Sequence, residues 1–209
     1  MATYKVDQLN ALAIKIKNKS TAVNKAASLS INKAATVTVI KSVELITNEV
    51  NLDPNYIKQH LKTVARASPA NLRAKIHANA KATHLSRYPN IKTKDGMRVS
   101  VDKGRGFREI KNAFRVTGLK GSNSSGIALR NRDAVGFFQA NIAKTGRTPA
   151  KSRKLQRIIA KARNKPNGIE VLHSRSVNQL FLTVSETVKP YTNDFLVSEF
   201  LSQFERLSK

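Results

Sequence analysis

The sequence predicts an α+β protein: long N-terminal helices, a central antiparallel β-sheet with a hairpin, and C-terminal helices. Three observations carry this expectation. Residues 22–50 contain neither Gly nor Pro and are rich in Ala. In three short stretches, 72–78, 97–101 and 114–117, apolar and mostly cationic side chains alternate with the period of two that marks a half-buried strand. Beyond Ser176 the apolar residues return to helical spacing. The expected domains are a helical arm over 1–64, a basic sheet core over 65–175, and C-terminal helices over 176–209 that pack on the sheet.

In chain order, Val6, Leu9, Ala13 and Ile16 share one face of a first helix, with Lys15, Lys17 and Lys19 off it. Asn18-Lys19-Ser20 breaks that pattern, and Ser20 or Thr21 can cap a second helix. The second helix, at 1.5 Å per residue, reaches about 43 Å, longer than most globular helices. Asp53 as cap and Pro54 at the first helical position then start a short helix to Leu61 or Val64. Leu72, Ala74, Ile76 and Ala78 alternate with Arg73, Lys75 and His77 as a strand. Met97, Val99 and Val101 form another, and Phe114 with Val116 a third, each with cations outward. Ala134 to Ile142, with Phe137-Phe138, reads as a strand, as does Ile169-Val171-His173. Lys151 to Arg163 favours a basic helix by propensity, yet Ile142, a turn through Pro149, and Leu155 to Ile159 also fit a hairpin. Gly118 to Gly126 is a Gly/Ser-rich loop, expected to be mobile. Ser176 can cap a helix through Val184, which Lys189-Pro190 breaks. Phe195, Leu196, Phe200, Leu201 and Phe204 line a terminal helix.

The chain has 209 residues and a net charge of +25, with 38 Lys and Arg against 13 Asp and Glu. The charge is uneven. Residues 54–132 carry 18 cations against 3 acids and residues 133–169 carry 9 against 1, whereas 170–209 carry 4 against 5. A positive block of that size points to a polyanionic neighbour. With no Cys, disulfides, thiolate zinc sites and Cys nucleophiles are excluded. No apolar run approaches a membrane span, and the lysines near the start do not fit a secretory signal. These features suit a soluble intracellular protein.

Enzymatic motifs are not visible. Asp95, Asp102 and Glu109 are spaced across a Gly-rich stretch and read as local neutralisation of Lys94, Lys103 and Arg108, not as a metal cluster. His60, His77, His84 and His173 show no ligand spacing. Gly104-Arg105-Gly106 reads as a turn, without the rest of a phosphate loop. Tyr4, Tyr56, Tyr88 and Tyr191 are dispersed, so no base-stacking sheet is expected. Outward Arg and Lys suit phosphates.

The order of elements resembles the minor tail protein Z family of tailed bacteriophages with lambda-like tails. The resemblance runs from Ala22 to Ala35, with the step Ile31-Asn32-Lys33-Ala34-Ala35, through Tyr56 to Arg66 and Ala74 to His77. It resumes at Phe137 to Ile142, Leu155 to Ala160 and Ile169 to Phe181. It implies a non-enzymatic virion protein without cofactor or metal. Such a protein completes the tail and assembles as a six-fold homo-oligomeric ring in the neck. It helps join tail to head, after passing through the host cytoplasm during assembly. Implied partners are the tail terminator, head-completion or neck proteins, and double-stranded genomic DNA, with no membrane. The resemblance also implies the hairpin reading of 151–163. Arg147, Lys151, Arg153, Lys154 and Arg157 are the expected DNA-facing set, followed by Arg98, Lys103 and Arg105. Ala26, Ala27, Ala34 and Ala35 are the expected subunit-interface residues. The alternatives are a free, non-specific basic nucleic-acid-binding protein and a ribosome-associated basic protein.

Overall fold

The structure, a computed structural model, describes residues 20–119, 125–146 and 148–208. It is α+β: a long N-terminal helix, small antiparallel sheets in the middle and a long C-terminal helix. The expected helix over residues 6–16 and the centre of the 118–126 loop lie outside the described residues.

Two compact units share the chain. The first comprises Met1–Ile46, Ile57–Asn79 and Asn178–Lys209; the second comprises Thr47–Tyr56 and Ala80–Val177. This grouping differs from three consecutive domains, because the C-terminal helix clusters with the N-terminal one rather than with the expected sheet core.

In the first unit, α1 (Ser20–Glu49) runs unbroken for 30 residues, as the lack of Gly and Pro dictates. Size rather than hydrophobicity sets its buried face, which includes Ala26, Ser30, Ala34, Ser42, Val43 and Ile46. The buried serines spend their hydroxyls locally: Ser30 donates to the Ala26 carbonyl at 2.8 Å and Ser42 to the Thr38 carbonyl at 2.6 Å. No polar group is thereby stranded at a small-residue contact. α2 (Pro54–His60) follows, opened by the Asp53 carboxylate accepting from the Asn55 amide at 2.9 Å. It is shorter than expected: strand β1 (Leu61–Ala65) begins at once and pairs antiparallel with β2 (Lys75–Ala78), Leu61 opposite Ala78. The Asn32 side chain holds the chain after β1, donating to the Ala67 carbonyl at 2.9 Å and accepting from the Ala67 amide at 2.8 Å. One amide on a helix thus supplies what a neighbouring strand would.

The C-terminal helix of this unit, α5 (Val177–Ser208), contains Pro190 without ending there. Pro190 is exposed, so water can satisfy the Glu186 carbonyl that loses its helical partner. Apolar side chains on both halves keep the helix continuous, with Leu180, Val184 and Val188 buried before the proline. α1 and α5 lie antiparallel: Lys33 bonds Glu199 at 2.7 Å and Thr38 meets Thr192 at 2.9 Å. The Lys33 ammonium beside it, followed by Gln203, holds the Glu199 carboxyl below its usual range.

In the second unit, β3 (Ala82–His84) pairs with β10 (His173–Ser176). β4 (Asn90–Lys92), β5 (Gly96–Val99) and β6 (Arg108–Lys111) form a three-stranded sheet, and β7 (Phe114–Val116), β8 (Gly126–Arg130) and β9 (Ile169–Val171) form another. All strand pairs are antiparallel. Gly96 is required by close approach: a Cβ there would lie 2.2 Å from the Ile110 carbonyl oxygen. Between β8 and β9 stand α3 (Asn131–Ala143) and α4 (Arg153–Asn164). The strand expected over Ala134–Ile142 and the hairpin return through Leu155 are therefore both helical. Asn131, Ala134, Val135, Phe138 and Ile142 are among the buried or half-buried positions of α3, a spacing of i, i+3, i+4, i+7 and i+11 that suits a helix and not a strand. α4 is capped by Ser152, whose hydroxyl accepts from the Leu155 amide at 3.4 Å, and it buries Leu155 and Ile158.

Replacing Asn32 by Ala leaves the amide and carbonyl of the buried Ala67 unpaired. The expected loss is about 1–3 kcal/mol of stability, read as a lower urea midpoint of helical ellipticity. An unchanged midpoint contradicts the clamp.

Candidate nucleic-acid interface

The second unit holds 23 Lys and Arg against 7 Asp and Glu. Where those few acids are placed decides what the cations can do. Glu170 on β9 is buried and bonds Lys161 at 2.6 Å, with Arg157 at 3.8 Å. Arg175 bridges Glu49 at 2.9 Å and Asp102 at 3.0 Å, tying the end of α1 to the loop after β5. Backbone bonds reinforce the tie: the Asn51 amide donates to Val101 at 2.8 Å and the Lys103 amide to Glu49 at 3.0 Å. Asp102 also meets Arg105 at 3.7 Å, and Glu109 meets its cross-strand partner Arg98 at 3.8 Å. The acids thus pair with Arg98, Arg105 and Arg175 instead of the expected Lys94, Lys103 and Arg108. Among the described residues, Lys94, Lys103, Arg108, Lys111, Lys144, Arg153, Arg163 and Lys165 have no carboxylate within ion-pair distance and are exposed.

α4 organises the densest part of this charge. Arg153, Arg157 and Lys161 recur every four residues, so they form one row on its exposed face. Lys154 leans over the Phe138 ring of α3, its ammonium 4.3 Å from the centroid. Desolvation lowers the Lys154 pKa, Arg157 adds to that effect, and Glu170 opposes it. The start of α3 is stitched to the turn after α4: the Asn131 amide donates to Gly168 at 2.8 Å and its side chain to Lys165 at 2.8 Å. Gly168 is needed there, since a Cβ would fall 2.5 Å from the Asn131 side-chain nitrogen.

Of the expected DNA-facing residues, Arg153, Lys154 and Arg157 share α4, while Arg98, Lys103 and Arg105 share the hairpin formed by β5, β6 and their connecting loop. All six are exposed. Lys151 ends a single 3₁₀ turn before α4, and Arg147 lies outside the described residues. Sequence reasoning missed Lys161, Arg163 and Lys165; the helical reading of 151–163 adds Lys161 at the four-residue spacing of Arg153 and Arg157, whereas Arg163 stands off that row and Lys165 just past the helix. Of the expected interface alanines, Ala26, Ala34 and Ala35 are buried and Ala27 is half-buried.

No acidic cluster stands near this charge: among the described residues no group of three or more His, Asp or Glu is arranged to hold a metal. No helix among them is long and apolar enough to cross a membrane. His84 and His173 face each other across the β3–β10 pair, ring centroids 4.6 Å apart. Desolvation lowers the pKa of both; His173, Lys81 and Arg87 lower His84 further, while for His173 the Val171 backbone and Glu170 oppose the lowering and Lys154 and Lys81 add to it.

Because the folded rings resist protonation, the unfolded chain binds protons first as the pH falls. Stability is therefore full above the ordinary His range and declines as the pH drops through it toward the lowered values. The thermal midpoint should fall between neutral pH and about pH 5, and fall less in a His84→Gln, His173→Gln double variant. Equal slopes in the two proteins contradict the account.

Comparison of the chain with protein-family models, with curated proteins and with solved structures finds no match.

Proposed function

We propose that this chain is a structural, non-catalytic protein that holds duplex DNA by its phosphates through the cations of the second unit. We propose the setting implied by the sequence resemblance: a homo-oligomeric ring completing the tail of a long-tailed bacteriophage at its head-proximal end. There it would contact terminator and neck proteins and position the genome. The observation that carries the phosphate contact is the exposed charge without an internal carboxylate at the two ends of α4: Arg153 at its start, Arg163 near its end and Lys165 just past it, flanking Arg157 and Lys161, which share Glu170. Cations held by a rigid helix and left without an internal carboxylate match phosphates and read no base sequence. The burial of Ala26, Ala34 and Ala35 favours a second reading, in which the same surface binds nucleic acid without a ring.

Duplex affinity measured by fluorescence anisotropy should fall linearly in log–log form with salt and be independent of sequence. In an Arg153→Gln, Lys154→Gln, Arg163→Gln variant the slope should become shallower by about 0.9 for each phosphate that is no longer neutralised. An unchanged slope overturns the assignment of α4. Micrographs of virions carrying the labelled chain should place the label at the head–tail junction, and label elsewhere overturns the setting but not the phosphate contact.

A further inference from the structure

The row on α4 does not account for a cleft of about 790 Å³ in the same unit. It opens between the loop joining β5 to β6 and the outer part of α3. Its floor is apolar: Leu85, Val99 and Ile110 line it and are each less than 8% exposed. Phe137 forms a half-buried wall, and the exposed Arg108 and Lys144 stand at the rim. Asp102 and Glu109 also line it, but both are occupied by arginines, Asp102 by Arg175 and Arg105, Glu109 by Arg98. The charge left for a ligand is positive.

We infer that this cleft takes an unpaired nucleotide, its base against Phe137 and the apolar floor and its phosphate between Arg108 and Lys144. An intact duplex cannot use such a floor, because its bases are stacked inside and only phosphates and groove edges face a protein. A base freed from pairing presents a flat apolar face, and stacking on an aromatic ring is its usual mode of capture. The volume lies in the range of small-molecule clefts, and the aromatic wall sits beside the phosphate-binding row through the contact of Lys154 with Phe138. The inference rests on the nucleic-acid reading above and adds a preference for frayed, gapped or overhanging ends.

The full chain is titrated with a blunt duplex, the same duplex carrying a short single-stranded thymidine overhang, and a peptide rich in Glu and Leu. The overhang should raise affinity about tenfold. Phe137→Leu, which keeps apolar volume but loses the aromatic face, should abolish most of that gain while leaving blunt-duplex affinity unchanged. A second arm places 5-iodouracil in the overhang and maps the photo-crosslink on the wild-type protein, so it does not depend on any variant folding. The expected adduct lies in the peptide containing Phe137. Equal affinity for blunt and overhanging DNA, an adduct outside the cleft, or an acidic peptide that displaces the overhang each overturns the inference. If the blunt duplex does not bind and the overhang still does, the duplex reading fails and the cleft assignment stands.

Discussion

Positive charge that the chain cannot neutralise internally is the constraint on which this molecule is built. Among the described residues of the second unit, five of the seven acids take part in ion pairs, and two of these pairings fasten structure. Glu170 anchors α4 to β9 through Lys161, and Asp102 with Glu49 locks Arg175 between the end of α1 and the β5–β6 loop. Once those carboxylates are committed, the remaining Lys and Arg repel one another unless an external anion relieves them. The pairs place charge rather than cancel it. We propose a polyanion as the partner that converts this cost into binding.

The first unit follows a different logic, in which small side chains and local hydrogen bonds take the place of a large apolar core. Ala26, Ser30 and Ala34 recur at four-residue spacing on the buried face of α1, and each buried hydroxyl returns to a carbonyl of its own helix. The Ile31-Asn32-Lys33 step, on which the family resemblance leaned, has a structural use here. Asn32 completes the backbone of Ala67, and Lys33 pairs with Glu199 on α5.

What the residues disclose in advance follows from how many forces act on each segment. α1 was legible because nothing in it interrupts a helix, and β2, β5 and β7 because alternation places cations outward. Ala134–Ile142 reads as a strand because Phe137-Phe138 resembles a strand run, although the spacing of Asn131, Ala134, Val135, Phe138 and Ile142 is helical; Asn131, bonded to Lys165 and Gly168, holds the start of that helix to the turn after its partner. Pro190 predicts a break by its local chemistry, whereas solvent exposure and packing on either side let α5 continue. Of the candidate interface, Arg153, Lys154 and Arg157 were visible as a basic run. Their alignment with Lys161, the use of Glu170 beneath them and the cleft beside Phe137 required the fold.

The most direct measurement is lysine acetylation of the full chain with and without duplex DNA, read by mass spectrometry residue by residue. The account predicts protection at Lys111, Lys144, Lys154 and Lys165, with Lys25, Lys41 and Lys189 of the first unit modified as before. Protection confined to those three, or no protection anywhere at a concentration that saturates binding, would contradict it.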